Sequence, residues 1–225
     1  MPESQNVMAR LRAETRDCHV ATERTRLASA IARGTITLPQ YVAQLQAYQS
    51  IHLILDALAQ DSTDARVRAV LVEDMNKTAL LASDLEALAR VPRALPREPE
   101  GSLRRYITTI LSDSRDGASL LGHLYVFEGS TLGSAILLPK LVASLGLSEA
   151  QSSYYRGYGD TTFAHWESFK TRMNAALADE GSQSQAVAAA RRAFTGLCAV
   201  FEQIADATMA ASPALEAHAP VRLAE

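Results

Sequence analysis

Residues 122–133 read GHLYVFEGSTLG, inside an apolar stretch that runs from about Ala118 toward Gly146. Gly122, Gly129 and Gly133 stand at i, i+7 and i+11, so a helix of 3.6 residues per turn brings all three to one face, with Val126 between them. A glycine inside a helix costs about 1 kcal/mol relative to alanine, and three cost about 3 kcal/mol. That is a large share of an ordinary domain's net stability. A bare stripe of backbone implies close approach. Either another helix packs there, or a broad flat ligand lies against it.

The sequence on either side is helical in character. Strand-like alternation is nearly absent, Ala, Leu, Glu, Gln and Arg dominate, and apolar residues recur at spacings of three and four. The expected fold is all-α. A chain of 225 residues, 48% hydrophobic, can bury one sizeable core, and a single domain over 1–225 is expected. The first helix is read from about Ser4 to Arg33, stopped by Gly34. Thr37-Leu38-Pro39-Gln40 has the form of a capping box with an early proline, opening a second helix to about Gln60. A third is read over Thr63–Arg90 and a fourth over Ser102–Leu111. Between them VPRALPREPEG, residues 91–101, is a loop. The glycine-bearing helix starts near Ala118 and is expected to be disturbed at Pro139. A short helix follows Ser148, GYGD at 157–160 is a turn, and the last two helices span Thr161–Ala178 and Ser184–Ala211. Residues 1–7 and 212–225 are expected to be flexible.

Composition excludes several functions. A net charge of -3 provides no basic field for a nucleic-acid backbone. The N-terminal residues MPESQNVMARLRAETRD lack the apolar core of a signal peptide, and no membrane span is expected. Cys18 and Cys198 form neither a CxxC nor a zinc spacing. They read as two small core residues of a cytoplasmic protein.

The segment LRAETRDCHVATE carries the candidate chemistry. Thr15, His19 and Glu23 fall at i, i+4 and i+8, roughly one helix face. Imidazole is a common axial ligand to haem iron, and a ligating imidazole usually donates its second N–H to an acceptor. Glu23 is placed to be that acceptor. The same spacing also describes an ordinary helical ion pair. His52, His123, His165 and His218 are the competing imidazoles, with His123 read as a pocket residue or a partly exposed helix residue.

Four segments occur in this order: LRAETRDCH with Glu23 beyond it, YVFEGSTLGSAIL, HWESFKTRMN and FTGLCAVFE. Together they resemble the haem oxygenases, and more closely the bacterial ones, including those paired with bacteriophytochromes. The resemblance spans roughly residues 8–205. It implies an all-helical fold with haem b held between the first helix and a kinked, glycine-rich distal helix. It implies that His19 is the iron ligand and Glu23 its acidic neighbour. Gly129 and Gly133 match the glycines whose backbone approaches the distal haem face. Ser130 falls where the animal enzymes carry an aspartate that orders distal water; a hydroxyl can donate and accept but brings no carboxylate charge. Arg12 and Lys170 match basic positions near the haem propionates, with Arg172 close by. Trp166 stands at a position that is basic in the animal enzymes. Phe194 and Phe201 match aromatics that wall the pocket, and by periodicity alone would be plain core.

The implied reaction is the O₂-dependent opening of haem to biliverdin, carbon monoxide and ferrous iron. Haem is then both substrate and cofactor, so the organic chemistry is its own. No flavin or nicotinamide fingerprint is present, which implies electrons from an external reductase or ferredoxin. A bacteriophytochrome would be one recipient of the product. Three other readings stand beside this one: a non-catalytic haem carrier or sensor on the same fold, a di-iron oxidase on a similar scaffold, and a helical interaction protein without cofactor. The di-iron reading needs inward carboxylates with Glu-x-x-His spacing, which the sequence lacks.

Overall fold

The computed structural model describes residues 6–91, 95 and 100–216, with side chains described up to residue 209. Eleven α-helices and no strand occur among the described residues. Three short helices come first: α1 (Val7–Glu14), α2 (Arg16–Glu23) and α3 (Arg26–Arg33). Then come α4 (Leu38–Gln60), α5 (Ala65–Val70), α6 (Thr78–Ala87) and α7 (Gly101–Asp113). The long α8 (Gly117–Leu145) is followed by α9 (Ser153–Arg156), α10 (Thr162–Ala176) and α11 (Glu180–Glu216).

The local signals hold where the chemistry is local. Gly34 closes α3 at φ 69°, a left-handed conformation that glycine adopts without a Cβ penalty. Thr37 accepts from the Gln40 amide and the Gln40 side chain returns to the Thr37 amide, the reciprocal cap expected for α4. Asp116 caps α8 by accepting from both the amide and the hydroxyl of Ser119, at 2.8 Å each.

Three expectations are corrected. The first helix is three helices. At Thr15 the hydrogen-bond ladder survives, from the Thr15 amide to Leu11 and from the His19 amide to Thr15, but the residue bends to ψ 1°. At Thr25 the backbone leaves the helix and caps a new one, accepting from Ala28. The stretch 63–90 is also divided, because Leu71 and Asn76 are extended and a single 3₁₀ turn, Glu73–Met75, lies between α5 and α6. Pro139, the expected point of disturbance, lies inside α8, which continues to Leu145 and stops at Gly146, φ 65°. Finally, α11 runs on past Ala211 to Glu216, so residues 212–216 are helical. Residues 1–5 and 217–225, with His218, lie outside the described residues, as do 92–94 and 96–99 of the loop.

The most extensive helix pair is α8 with α11. At their crossing, a Cβ on Gly122 would overlap the Ala186 carbonyl oxygen and come within 2.9 Å of Ala189 Cβ. Ala186, Ala189, Ala190 and Ala193 are all fully buried, so small residues on α11 meet a bare α8. The first glycine of the stripe is therefore a helix-packing glycine. Gly129 and Gly133 are different: a Cβ on Gly129 would touch only the Trp166 ring, at 3.4 Å, and one on Gly133 would meet nothing within 4 Å. By length and composition α8 could cross a membrane. Its residues from Gly117 to Leu124 are instead buried in the protein.

Asp64, Arg66 and Asp116 tie the start of α5 to the start of α8. Arg66 Nη2 lies 2.7 Å from Asp64 and 3.0 Å from Asp116. The Arg66 guanidinium holds the Asp64 carboxyl at about 2.

Two predictions follow from these contacts. Gly122→Ala should lower apoprotein stability by about 1–3 kcal/mol through overpacking. Gly133→Ala should raise it by about 0.5–1 kcal/mol, by removing a helix glycine without a clash. Urea unfolding of the two variants reads the signs, and equal gains at both would contradict the crossing. A depressed carboxyl contributes stability that is full above its unfolded value of about 3.9 and is lost as pH falls through its folded value. The stability gap between wild type and Asp64→Asn, which keeps the cap, should therefore close between pH 4 and about pH 2.

Candidate functional site

Thr15 and His19 share a face of the α1–α2 segment, and Tyr125 and Gly129 share a face of α8, each pair one turn apart. The half-buried Tyr125 phenol is raised first by its burial, opposed by the Thr15 hydroxyl and the Arg12 charge, so Thr15 lies near Tyr125. His19 stands one turn on from Thr15, and Gly129 one turn on from Tyr125. Tyr125 was not among the residues singled out from the sequence. Its signal was available, since it stands four residues before Gly129.

His19 is exposed, with 58% of its side chain accessible, and its ring stands edge-on to Phe194 with centroids 5.7 Å apart at 82°. Glu23 lies 3.7 Å from His19 Nδ1, an ion-pair separation too long for a hydrogen bond. Phe194 is buried, so it fixes the imidazole by contact rather than by polarity. On the α8 side, the Trp166 ring lies against Gly129 and stacks on Phe169, with centroids 5.6 Å apart. Beyond it the apolar surface is open: Ile136, one turn after Gly133, is 79% exposed, and Phe163 on α10 is 67% exposed. The Ser130 hydroxyl donates to the Phe127 carbonyl at 2.7 Å and keeps its lone pairs free to accept.

The charged candidates divide. Arg12 is exposed on α1, on the Tyr125 side. Lys170 stands one turn beyond Trp166, half-buried, with its ammonium 2.7 Å from Glu167. Arg172 is turned to other work. Its Nε donates to the Val70 carbonyl at 2.8 Å and its Nη1 to Ser168 at 2.6 Å, so it fastens α10 to the end of α5. Phe201, two turns beyond Phe194, is buried 6.2 Å from the Tyr48 ring, in the aromatic core behind the wall.

The other histidines are structural by their surroundings. His52 too has an acid one turn on, Asp56, so the spacing that singles out His19 does not distinguish the two. His52 is buried, with Nδ1 3.1 Å from Asp56 and Nε2 3.3 Å from the Tyr154 hydroxyl. Asp56 in turn accepts from the Lys77 and Thr78 amides and the Thr78 hydroxyl. His123 is neither exposed nor in the cleft. It is fully buried, with Nε2 2.9 Å from Asp113 and Nδ1 3.4 Å from the Tyr106 hydroxyl, and Arg192 grips Asp113 through two nitrogens. His165 is paired with Asp74 at 3.3 Å and stacked on Tyr158. No cluster of three or more His, Cys, Asp or Glu side chains suited to a metal ion exists among the described residues. Cys18 and Cys198 are both free thiols, and Cys198 contacts the Thr22 hydroxyl at 3.2 Å.

The arrangement combines an accessible imidazole backed by an aromatic ring, two glycines on α8 where a Cβ would meet only the Trp166 ring or open space, exposed apolar side chains nearby, and basic groups at Arg12 and Lys170. A flat, apolar, iron-bearing ring with anionic substituents has the matching chemistry.

The comparisons agree. The family described as Heme oxygenase matches residues 5–203. No curated protein matches the sequence significantly. Among solved structures, heme oxygenase from Leptospira interrogans superposes with TM-score 0.80 at 17% identity, covering 88% of this chain and 99% of that one. Heme oxygenase-1 from Synechocystis in complex with heme gives 0.82 at 16% identity, covering 94% and 98%. Heme oxygenase-2 from Synechocystis, in complex with heme and NO, gives 0.83 at 20% identity, covering 92% and 88%.

Proposed function

Because the chain belongs to the haem oxygenase family of haem-degrading oxidoreductases, we propose that it opens haem b to biliverdin, carbon monoxide and ferrous iron. The observation that carries this reading is the pairing of an accessible His19, edge-on to Phe194, with Gly129 and Gly133, where an added Cβ would touch only Trp166 or nothing at all. Haem, bound between them, supplies both the iron that activates oxygen and the ring that is opened. The protein's share is to bind, orient and exclude.

His19 would hold the iron as a neutral imidazole, with Phe194 limiting the rotation of its ring. Glu23 is close enough to take the second N–H after a small closure. Gly129 and Gly133, with no Cβ, would allow the α8 backbone to come close to one face of a bound ring and leave room for a small reactant there. Ser130 keeps an acceptor near that face. Arg12 and Lys170 would attract the propionates and so favour one orientation of the bound ring over another. Arg172, engaged with Val70 and Ser168, takes no part. Trp166 closes the side of the cleft that is basic in the animal enzymes. Phe201 supports the wall from behind. Electrons come from an external reductase or ferredoxin. A cytoplasmic setting and delivery of product to a bacteriophytochrome fit the same reading.

Adding haemin to the protein and then ascorbate under air tests the proposal. The expected results are a Soret band on binding and a biliverdin isomer identifiable by chromatography. Haemin that binds without any ring opening would leave a carrier. His19→Ala should lose the native Soret position and at least 90% of turnover, on the order of a 1.4 kcal/mol or greater loss of transition-state stabilisation. An unchanged spectrum would remove His19 as the ligand. Lys170→Glu should weaken haemin binding by up to about fivefold, the scale of a half-exposed pair, or change the isomer mixture. Identical affinity and isomers would take Lys170 out of the propionate set.

A further inference from the structure

Glu128 precedes Gly129, so its side chain leaves α8 about 100° round from the glycine's open face. It is 6% exposed, yet it is a carboxylate. The Tyr158 hydroxyl donates to Glu128 Oε2 at 2.8 Å, and Lys77 Nζ lies 4.0 Å from Oε1. Lys77 also sits 3.5 Å above the centre of the Tyr158 ring and donates to the Asp74 carbonyl at 2.9 Å. Tyr158 is in turn stacked on His165, with centroids 4.0 Å apart at 6°. The carboxylate is thus tied to two segments outside α8: residues 74–77 and the turn before α10. Burial pushes the Glu128 carboxyl up and the Lys77 ammonium down, so the pair sits there against a desolvation cost. A packed leucine would avoid that cost.

Val126 and Phe127 seat the preceding turn of α8 in the core, but past Glu128 no residue of α8 is buried again until Leu141. Gly129 and Gly133 offer no side chain to seat. The Ser130 and Thr131 hydroxyls donate to the Phe127 and Glu128 carbonyls at 2.7 and 2.6 Å, bonds of the kind that compete with the helix ladder. Further on, Pro139 removes a ladder donor.

We propose that Glu128 is a positioning residue: clamped by Tyr158 and Lys77, it sets the height and rotation of α8 at Gly129, and so the closeness of the glycine backbone to the ligand opposite His19. The clamp's purpose rests on the haem reading above. Its existence does not, because it can be read in the apoprotein.

Tyr158→Phe is the test, since it removes one hydroxyl and keeps the ring under Lys77 and against His165. Amides of residues 130–134 in the variant apoprotein should exchange at least about tenfold faster than in wild type. In the haemin-loaded variant, affinity should stay close to wild type while the biliverdin isomer ratio and the C–O stretch of the ferrous carbon monoxide complex both move. Glu128→Gln, whose amide oxygen still accepts from Tyr158, should remain nearer wild type in all three. Wild-type exchange, isomers and C–O stretch in Tyr158→Phe would overturn the proposal. Equal shifts in Glu128→Gln would assign the hold to the Lys77 charge pair and overturn the part given to the Tyr158 hydroxyl. Failure of the wild-type protein to take up haemin would overturn the purpose assigned to the clamp, while apoprotein exchange would still decide whether α8 is held this way.

Discussion

The crossing of α8 and α11 at Gly122 fixes both sides of the cleft. With no Cβ on Gly122, the two backbones approach until the glycine lies under Ala186 and Ala189. From that point α8 rises about 1.5 Å per residue, so Gly129 and Gly133 are carried about 10 and 17 Å along a rod whose near end cannot shift. On the other helix, Phe194 lies just beyond the buried Ala190 and Ala193 and carries the His19 ring on its edge. The two faces of the cleft are therefore referenced to one steric contact. A loosening there would change their separation without touching any residue that lines them.

Imidazoles are separated here by surroundings rather than by spacing. His19, His52, His123 and His165 each lie near a carboxylate, at 3.7, 3.1, 2.9 and 3.3 Å respectively. In His52 and His123 both ring nitrogens are engaged inside the core, and such groups hold a structure together. His19 has the longest of the four separations and the greatest exposure. His19 is thus the imidazole whose ring nitrogens the protein engages least among the four.

Much of this was legible in the sequence, for a physical reason. Gly34, the Thr37–Gln40 cap and the glycines of α8 act through their own backbones or through neighbours three or four residues away, so one strand of sequence contains the whole interaction. The breaks at Thr15, Thr25 and Leu71 involve neither glycine nor proline. They reflect the path the chain takes around α11 and α10, which no local window contains. The three glycines share one face but not one setting, because a helix long enough to carry all three meets different neighbours along its length: Gly122 packs on α11, while Gly133 has open space. Arg172 and Lys170 stand two residues apart, and only tertiary contacts turn one toward Val70 while the other stays beside Trp166. Glu128 carried no sequence signal beyond its oddity in an apolar run. Its partners Lys77 and Tyr158 lie 51 and 30 residues away.

The open stretch of α8 around Gly133 and Ile136 also bears on how long the molecule lasts. Apolar surface left in water is surface whose covering favours the folded chain. A ligand at a hundredfold excess over its dissociation constant adds about 2.7 kcal/mol to folding. A protein that consumes the ligand filling its own cleft is therefore sturdiest while supplies last and weakest once it has exhausted them. Proteases that remove unfolded chains would then thin its numbers in step with its success. Abundance would follow demand with no regulator beyond the exposed face of one helix.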